Sequence, residues 1–340
     1  MQDSHLLVMI ITVTVLALTF DFINGFHDTA NSIATAISTK ALPPRIAIIL
    51  ASVMNFVGAL TFTGVAKTIG GSITDPFKLE NGLVIVTVAL LAAIAWNLIT
   101  WYYGLPSSSS HALIGSLTGA VITAAGFSAV NFRGFLAIIK ALVFSPVIAF
   151  ATGFVIMTLV RLIFRRATPY VLNRRFRFLQ IFTAAFQSFS HGTNDAQKTM
   201  GIITFALAAG GFQSTLHIPL WVKVLAALAM TTGTSVGGWR IIKTVGTRII
   251  KVEPGSGFSA DLASATVILG ATLLKLPVST THVISSSIMG VGAARRFSAV
   301  KWGTSQKIVL AWLVTLPVTA FLAGLFYVLY LGLNMMIGAF

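Results

Sequence analysis

Apolar runs of membrane-spanning length recur from one end of the sequence to the other. The clearest lie at 46–63, 83–101, 141–159, 221–237 and 308–331. Each approaches or exceeds the roughly 20 residues that a helix needs to cross the hydrocarbon core of a bilayer. The alternating ten-residue segments of a membrane β-barrel are absent from the sequence. We therefore predict an all-α polytopic membrane protein embedded in a lipid bilayer.

The composition agrees with this prediction. Apolar residues make up 56% of the chain and charged residues 9%, whereas soluble domains are roughly 25% charged. The net charge of +15 does not form one basic patch that would suit nucleic acid, because the basic residues lie between the apolar runs. They are densest at 161–177, and the bias of Lys and Arg toward cytoplasmic loops predicts that this segment faces the cytoplasm.

A polar stripe interrupts the first apolar run. Its members are spaced three or four residues apart, so they share one face of a helix; they are Asp21, Asn24, Asp28 and Asn31. An ionisable side chain inside a bilayer costs at least about 2.5 kcal/mol and usually faces a water-filled path or an ion. The stripe therefore marks a candidate functional centre.

The stripe returns in the second half of the chain with the same spacing, as Ser188, His191, Asp195 and Lys198. Three further blocks repeat in the same order, namely 67–70 with 243–246, 105–111 with 276–282, and 145–150 with 316–321. Four matches in register indicate an internal repeat.

We therefore predict a first repeat at 1–164, a basic linker at 165–177 and a second repeat at 178–340. Each repeat is expected to hold about five transmembrane helices, and an odd number inverts the second repeat relative to the first. A cytoplasmic linker then places both termini outside the cell. One helix over 6–40 would be about 52 Å long, too long for one crossing, so we expect a break near Asn24 and Gly25.

The segments at 105–127 and 276–294 differ from the other apolar runs. Each opens with Leu-Pro and a hydroxyl-rich run, followed by a histidine and a helix of small residues. Irregular polar backbone at membrane depth is tolerated only where it lines a cavity or is buried in protein. We predict a re-entrant helical hairpin in each repeat, with the hydroxyl groups at its tip. An ordinary loop between two spans is the alternative.

Such tips are suited to hold an anion, since a helix start offers free N–H groups and the positive end of the helix dipole. The hydroxyl donors are Ser107, Ser108, Ser109, Ser110, Ser279, Thr280 and Thr281. Two tips meeting at the midplane would fit a tetrahedral oxyanion. The carboxylates of Asp28 and Asp195 suit Na⁺ or H⁺ instead. Mutual dependence of cation and anion binding is the requirement for coupled symport.

Some of these residues also have a structural interpretation. Lys198 lies one helical turn after Asp195 and would neutralise it as an ion pair. Four histidines would also serve as interhelical hydrogen-bonding groups; they are His27, His111, His191 and His282. A metal site is a further alternative that no motif such as HExxH supports; its ligands would be His27, Asp28, His191 and Asp195.

Other polar and small residues of the spans are expected to serve the fold. Asp261 and Lys275 lie at the ends of one span, where they would snorkel toward the interface. Gly115, Gly119 and Gly290 are expected to permit close helix packing. No nucleotide-binding loop or catalytic spacing is present, so we expect neither ATP-driven transport nor an enzyme.

The two polar motifs, Gly25–Ser32 and His191–Thr199, resemble the paired signatures of the inorganic phosphate transporter (PiT) family. The Pro-Ser/Thr-Ser/Thr-His hairpins are similar to those of the family, and the resemblance spans essentially the whole chain. It implies inverted repeats, two hairpins, a homodimer and no cofactor. It also implies phosphate import across the plasma (inner) membrane, in symport with Na⁺ or H⁺.

The resemblance places the binding sites on the motifs and the hairpin tips. The substrate-binding set comprises the seven tip hydroxyls with Asn31, Asn194 and Lys198. The cation-binding set comprises Asp28, Asp195, Ser32, Thr199, Asn24 and His27, with Asp28 and Asp195 as candidate Na⁺ ligands. His27 replaces the commoner Asn, and Gln197-Lys198 replaces Ala-Asn, which leaves the coupling cation open. A sulfate permease of the same family, an uncoupled anion channel and a Ser-His-Asp hydrolase remain alternatives.

Overall fold

The computed structural model describes residues 2–79 and 81–337, and the regular elements in these ranges are helical. The helices of the first half are α1 (Gln2–Ser38), α2 (Pro44–Thr61), α3 (Gly64–Ser72), α4 (Gly82–Tyr102), α5 (Ser109–Ala125) and α6 (Phe132–Ile163). Those of the second half are α7 (Pro169–Ala209), α8 (Leu220–Val236), α9 (Trp239–Lys243), α10 (Pro254–Leu273), α11 (Thr280–Arg295) and α12 (Trp302–Ile337).

The two halves match element by element, from α1 with α7 to α6 with α12. In each half a serine at the hairpin tip caps the next helix: the hydroxyl of Ser108 accepts from the backbone N–H of His111 at 3.1 Å, and that of Ser279 from His282 at 3.3 Å. A 3₁₀ turn of sequence Phe-Ser-Ala follows both α5 and α11. The chain is therefore built from two repeats of one helical design.

The repeats are inverted, and the crossing of α1 with α7 illustrates it. Asn24 Nδ2 donates to Asp195 Oδ2, while one to two turns further along α1 the backbone carbonyl of Asn31 accepts from Gln187 Nε2. Residue numbers thus rise along α1 as they fall along α7, so the equivalent helices run antiparallel. The remaining helices follow one another in the same order in both halves, so the whole second half corresponds to an inverted copy of the first.

The apolar helices are long enough for a multi-pass membrane protein. Among the described residues, six helices are long and apolar enough to cross a membrane, and the pair Leu220–Val236 and Trp239–Arg248, bent by 62°, would form a seventh span. The 41-residue α7 is more polar because it begins with much of the basic segment and carries the second stripe at its centre. These lengths confirm the polytopic class predicted from the sequence.

The break expected near Asn24 and Gly25 is wrong, because α1 is continuous from Gln2 to Ser38. Gly25 serves close packing instead. A Cβ at this position would lie 2.9 Å from the backbone nitrogen of Thr234 and would also meet the carbonyl of Met230. The glycine therefore lets the backbones of α1 and α8 touch without interrupting the helix.

Helices of one repeat pack against helices of the other. Gly119 in α5 lies against the backbone of Ala320 in α12, and Gly290 in α11 lies against that of Phe150 in α6. Gly115 contacts α12 in the same way at Leu316. The packing role predicted for these glycines is confirmed, and it holds each hairpin against the other half of the protein.

The snorkelling predicted for Asp261 is wrong, whereas Lys275 is exposed as expected. Asp261 is fully buried in α10. Thr35 Oγ1 donates to its Oδ1 at 2.5 Å, and Gln180 Nε2 donates to its Oδ2 at 3.4 Å. Hydrogen-bond donors from α1 and α7 therefore replace the water that the carboxylate would have sought.

Candidate functional site

The two polar stripes meet where α1 crosses α7. Asn24 Nδ2 lies 3.3 Å from Asp195 Oδ2, and one ligand atom each of Asp28, His191 and Asp195 lies within 4.8 Å of the others. All four side chains are buried. The equivalent acidic residues of the two repeats thus share one enclosed centre.

Both hairpin tips reach this centre. Ser110 Oγ of the first tip donates to the backbone carbonyl of Val278 in the second at 2.9 Å. The rings of His111 and His282, which follow the tips, have centroids 4.5 Å apart. The starts of α5 and α11 therefore converge from opposite repeats, as an anion site between two tips requires.

The tip hydroxyls bond the acidic residues directly. Ser109 Oγ donates to Asp28 Oδ2 at 3.3 Å, and Thr281 Oγ1 donates to Asp28 Oδ1 at 3.2 Å. Thr280 Oγ1 donates to Asp195 Oδ2 at 3.3 Å. The carboxylates of Asp28 and Asp195 therefore each contact at least one hairpin, so a cation bound at either one would alter the electrostatic potential at the tips.

Asn31 and Lys198 occupy equivalent places and each reaches the hairpin of the other repeat. Asn31 Nδ2 donates to Thr281 Oγ1 at 2.9 Å, whereas Lys198 Nζ donates to Ser109 Oγ at 3.2 Å. The ammonium also lies 2.9 Å from Asp195 Oδ1. The ion pair considered for Lys198 and Asp195 is present, and it lies at the tips rather than away from them.

The remaining hydroxyl and amide side chains of the predicted sets support the tips. Ser107 Oγ donates to Thr100 Oγ1 at 2.8 Å, while Ser108 and Ser279 cap the helices that follow. Asn194 lies beneath the second tip, where its Oδ1 accepts from the backbone N–H of Val278 at 3.3 Å. These residues shape the hairpins more than they line the space between them.

Three further residues of the predicted cation set have unequal surroundings. His27 Nδ1 lies 2.6 Å from Asp28 Oδ1. Ser32 and Thr199 are buried, and within the described chain their hydroxyls have no hydrogen-bond partner. Of the four residues considered for a metal site, His27 thus bonds Asp28 while the other three come together.

Sequence reasoning passed over several polar residues that hold the centre. Asn55 Oδ1 lies 3.0 Å from His191 Nδ1, and Thr100 Oγ1 lies 3.3 Å from His27 Nε2. Gln187 Oε1 accepts from Ser264 Oγ at 2.7 Å. The available signal was a polar side chain inside an otherwise apolar run, as for Asn55 within 46–63. Asn55 and Thr100 thus orient His191 and His27, while Gln187 also donates to the backbone carbonyl of Asn31.

Acidic side chains outnumber basic ones in the centre. Asp28, Asp195 and the nearby Asp21 are buried together with the ammonium of Lys198. When the histidines are neutral and all three carboxyl groups are ionised, three carboxylates against one ammonium leave two negative charges. An anion entering such a space gains from hydroxyl and N–H donors only if cations first reduce this charge.

Comparisons with known proteins agree with this geometry. The family model described as the phosphate transporter family matches the chain twice, over residues 24–175 and 164–323. A solved structure named "The sodium-dependent phosphate transporter" superposes with a TM-score of 0.88 at 27% identity, covering 95% of this chain and 99% of that one. Two matches in one chain fit the two repeats.

Similar sequences extend over nearly the whole chain. A protein of Bacillus subtilis (strain 168) named "Probable low-affinity inorganic phosphate transporter" is 60% identical over 95% of this chain and 97% of its own length. A protein of Rhizobium meliloti (strain 1021) with the same name is 45% identical over 94% of this chain and 96% of its own. These relatives are named as transporters, not as enzymes. The chain therefore belongs to the phosphate transporter family.

Proposed function

We propose that the protein imports inorganic phosphate across the plasma membrane in symport with Na⁺ or H⁺. The observation that carries the proposal is the shared buried centre, where hydroxyl-rich hairpin tips lie against acidic residues of both repeats. Names of the relatives support phosphate as the substrate. The name of the solved protein supports Na⁺ as the coupling ion.

The proposed mechanism is alternating access, with the anion held between the two tips. The coupling cation lowers the negative charge around Asp28 and Asp195, and phosphate then accepts hydrogen bonds from tip hydroxyls and helix N–H groups. Asn31 and Lys198 contact opposite tips, so both are in place to add donors. Binding of cation and anion thereby becomes mutually dependent, which couples their transport.

The topology belongs to the same proposal. The repeats at 1–164 and 178–340 are related by inversion, and the basic linker at 165–177 faces the cytoplasm under the positive-inside rule. Both termini then lie outside. The proposed oligomeric state is the homodimer that the family resemblance implies.

Uptake of labelled phosphate into proteoliposomes tests the proposal. An inward Na⁺ or H⁺ gradient should accelerate uptake, and varying the two gradients independently identifies the ion. Asp28→Asn and Asp195→Asn should each abolish gradient-driven uptake. Asp75→Asn is the matched control, because Asp75 is partly exposed and contacts Lys78 and the backbone N–H of Phe77 in a surface turn.

The outcomes separate the alternatives. Uptake that responds to neither gradient and does not saturate would indicate a channel and refute symport. Competition by sulfate as strong as that by unlabelled phosphate would refute phosphate as the preferred anion. Full gradient-driven activity in either Asp variant would remove that residue from the mechanism.

A further inference from the structure

We infer that a cleft at the outer face of the protein holds phosphate before the anion reaches the centre between the hairpin tips. Lys67 of α3 and Lys275 of the second hairpin supply the positive charge of this outer cleft. The inference rests on the proposed function, which names the anion and the direction of its entry. It adds a binding site that lies outside the centre.

The outer cleft has a volume of about 620 Å³ and lies where α2 ends, α3 begins and the second hairpin turns. Its polar lining consists of two lysines and four residues with hydroxyl groups, namely Lys67, Lys275, Thr61, Thr63, Thr68 and Ser72. None of the described residues that line it is acidic. The ion pairs among the described residues include neither lysine.

The start of α3 adds donors to the same cleft. Thr63 precedes the helix without capping it through its side chain, and both Thr63 and Gly64 line the cleft. The first N–H groups of a helix have no partner within the helix, and they favour an anion. Ammonium, hydroxyl and N–H groups together form a set of donors that suits an oxyanion.

The backbone of Lys275 indicates that this lysine is more than an incidental surface residue. Its φ is 60°, in the left-handed region that residues other than glycine seldom adopt. The equivalent residue of the first repeat, immediately before the Leu-Pro of the tip, is Gly104, with a φ of 64°. Strain of this kind is concentrated at functional sites. The second repeat thus keeps a lysine at a position where the backbone favours glycine.

The residues around Lys275 hold it at the cleft. Thr68 Oγ1 donates to the backbone carbonyl of Lys275 at 2.8 Å. Gly64 leaves room for the aliphatic part of the side chain, because a Cβ at this position would lie 2.6 Å from Lys275 Cγ. Lys275 is nevertheless exposed, so its ammonium is accessible to an anion in solution.

The opposite face of the protein has the same architecture, but its basic residue is already engaged. Thr244 Oγ1 donates to the carbonyl of Gly104 at 3.0 Å, the counterpart of the bond just described. The basic residue here is Arg240 of α9. Its guanidinium donates to the carbonyl of Tyr102 and lies 5.0 Å from the centre of the Tyr102 ring. This arginine therefore holds its hairpin, whereas the side chain of Lys275 is left to contact solutes.

The position of α10 relative to the basic linker identifies the outer face. Arg161 near the end of α6 donates to the carbonyl of Ala294 at 2.7 Å, and Glu253 before α10 pairs with Arg295 at 2.9 Å. The start of α10 therefore lies on the side of the linker that follows α6. The 20 residues of α10 then carry the chain about 30 Å away, toward Lys275. With the linker in the cytoplasm, as proposed, the cleft opens outside the cell.

The outer cleft adjoins the second hairpin tip. Leu276 follows Lys275, and its carbonyl accepts from Asn194 Nδ2 at 3.3 Å. The hydroxyl groups of the tip begin at Ser279, in the same short segment. Positive charge at the cleft raises the local concentration of phosphate beside this tip, and the gain falls as salt screens the charge.

Modification of a thiol in the cleft tests the inference without requiring transport. The chain contains no cysteine, so Thr63→Cys introduces a single thiol there. In the purified full-length protein, phosphate should slow its reaction with a small neutral methanethiosulfonate reagent in a saturable manner. Chloride at equal ionic strength should not. Addition of Lys275→Gly should weaken the protection several-fold without lowering the thermal unfolding temperature, because glycine relieves the strain at this position.

Lys78→Gln is the matched control, because it removes one positive charge from the segment after α3 but Lys78 does not line the cleft. It should leave the protection unchanged. Uptake gives a second measurement. Lys275→Gly should raise the KM for phosphate several-fold at low ionic strength, and the increase should shrink as salt is added.

The outcomes distinguish this site from the proposed function. Protection by phosphate no stronger than that by chloride would overturn the site. Protection that Lys275→Gly leaves intact would overturn it too, because such protection would come from phosphate at the centre. If Lys275→Gly aggregates, Lys67→Gln decides by the same criterion. Protection lost in Lys275→Gly, in a protein that moves no phosphate into liposomes, would support the site and refute the proposed transport.

Discussion

The ammonium of Lys198 lies 2.9 Å from Asp195 Oδ1, at the position that the uncharged Asn31 occupies in the other repeat. Both partners of this ion pair are buried. The protein thus supplies a fixed positive charge to one acidic residue of the centre. Its inverted counterpart, Asp28, is paired with the imidazole of His27 instead.

Lys198→Asn introduces the residue that the other repeat has at the equivalent position, Asn31. This variant should make transport depend more steeply on the Na⁺ concentration. Removing one partner of a buried ion pair costs about 3–5 kcal/mol, and a Na⁺ bound at Asp195 would offset part of that cost. We expect Na⁺ to raise the thermal unfolding temperature more in the variant than in the wild type. The sodium concentration for half-maximal uptake should also rise.

Lys78→Asn is the control for this substitution, because Lys78 is largely exposed. It should change neither measurement. An unchanged sodium dependence in Lys198→Asn would show that Lys198 does not act as a resident cation.

Ser109→Ala should weaken phosphate binding. Ser109 Oγ donates to Asp28 and accepts from Lys198 Nζ, so its loss disturbs both groups at the first tip. A hydrogen bond to a charged group is worth about 1.5–3 kcal/mol, which predicts a KM for phosphate raised by about tenfold or more. Initial uptake rates over a phosphate series give this value, with exposed Ser128→Ala as control. Equal KM values would argue against a role for the Ser109 hydroxyl.

Gly25→Ala should destabilise the fold, although alanine is the better helix former. The added methyl would lie 2.9 Å from the backbone nitrogen of Thr234, and backbone cannot move aside as a side chain does. Overpacking of this kind costs about 1–3 kcal/mol. Gly270→Ala, with nothing within 4 Å of the new methyl, should instead gain up to about 1 kcal/mol. In detergent, the thermal unfolding temperature should be lower than that of the wild type for Gly25→Ala and higher for Gly270→Ala.

Asp261→Ala should lower stability while leaving the KM for phosphate unchanged. The substitution leaves the buried donors of Thr35 and Gln180 without their acceptor, at about 1–3 kcal/mol for such a group. Asp75→Asn, at a partly exposed position, retains an acceptor for the backbone N–H of Phe77 and should have little effect. A raised KM in a stable Asp261→Ala protein would contradict a purely structural role.

The sequence was most informative where the physics is local or where the chain repeats itself. Apolar runs identified the spans, and the Leu-Pro-hydroxyl pattern identified the tips because helix capping depends on a few neighbouring residues. The internal repeat also identified Asp28 and Asp195 as equivalent positions and predicted that they meet. Their convergence is confirmed within 4.8 Å.

The sequence was least informative where a residue's role depends on a distant helix. The length of the 6–40 segment suggested a break near Gly25, yet the backbone of α8 beside this glycine makes it a packing residue. Asp261 suggested exposure, yet its donors come from α1 and α7. Asp21 belonged to the stripe, but only the structure distinguishes it from two partnered carboxylates.

The hydrogen bond from Ser110 Oγ to the carbonyl of Val278 joins the hairpin tips of the two halves of the protein. Under the proposed mechanism a solute that moves between the two tips has to break this bond, which separates the start of α5 from the backbone that precedes α11. The proposed mechanism thus gives the Ser110 hydroxyl two successive partners, the carbonyl of Val278 while the tips are joined and the anion once they part.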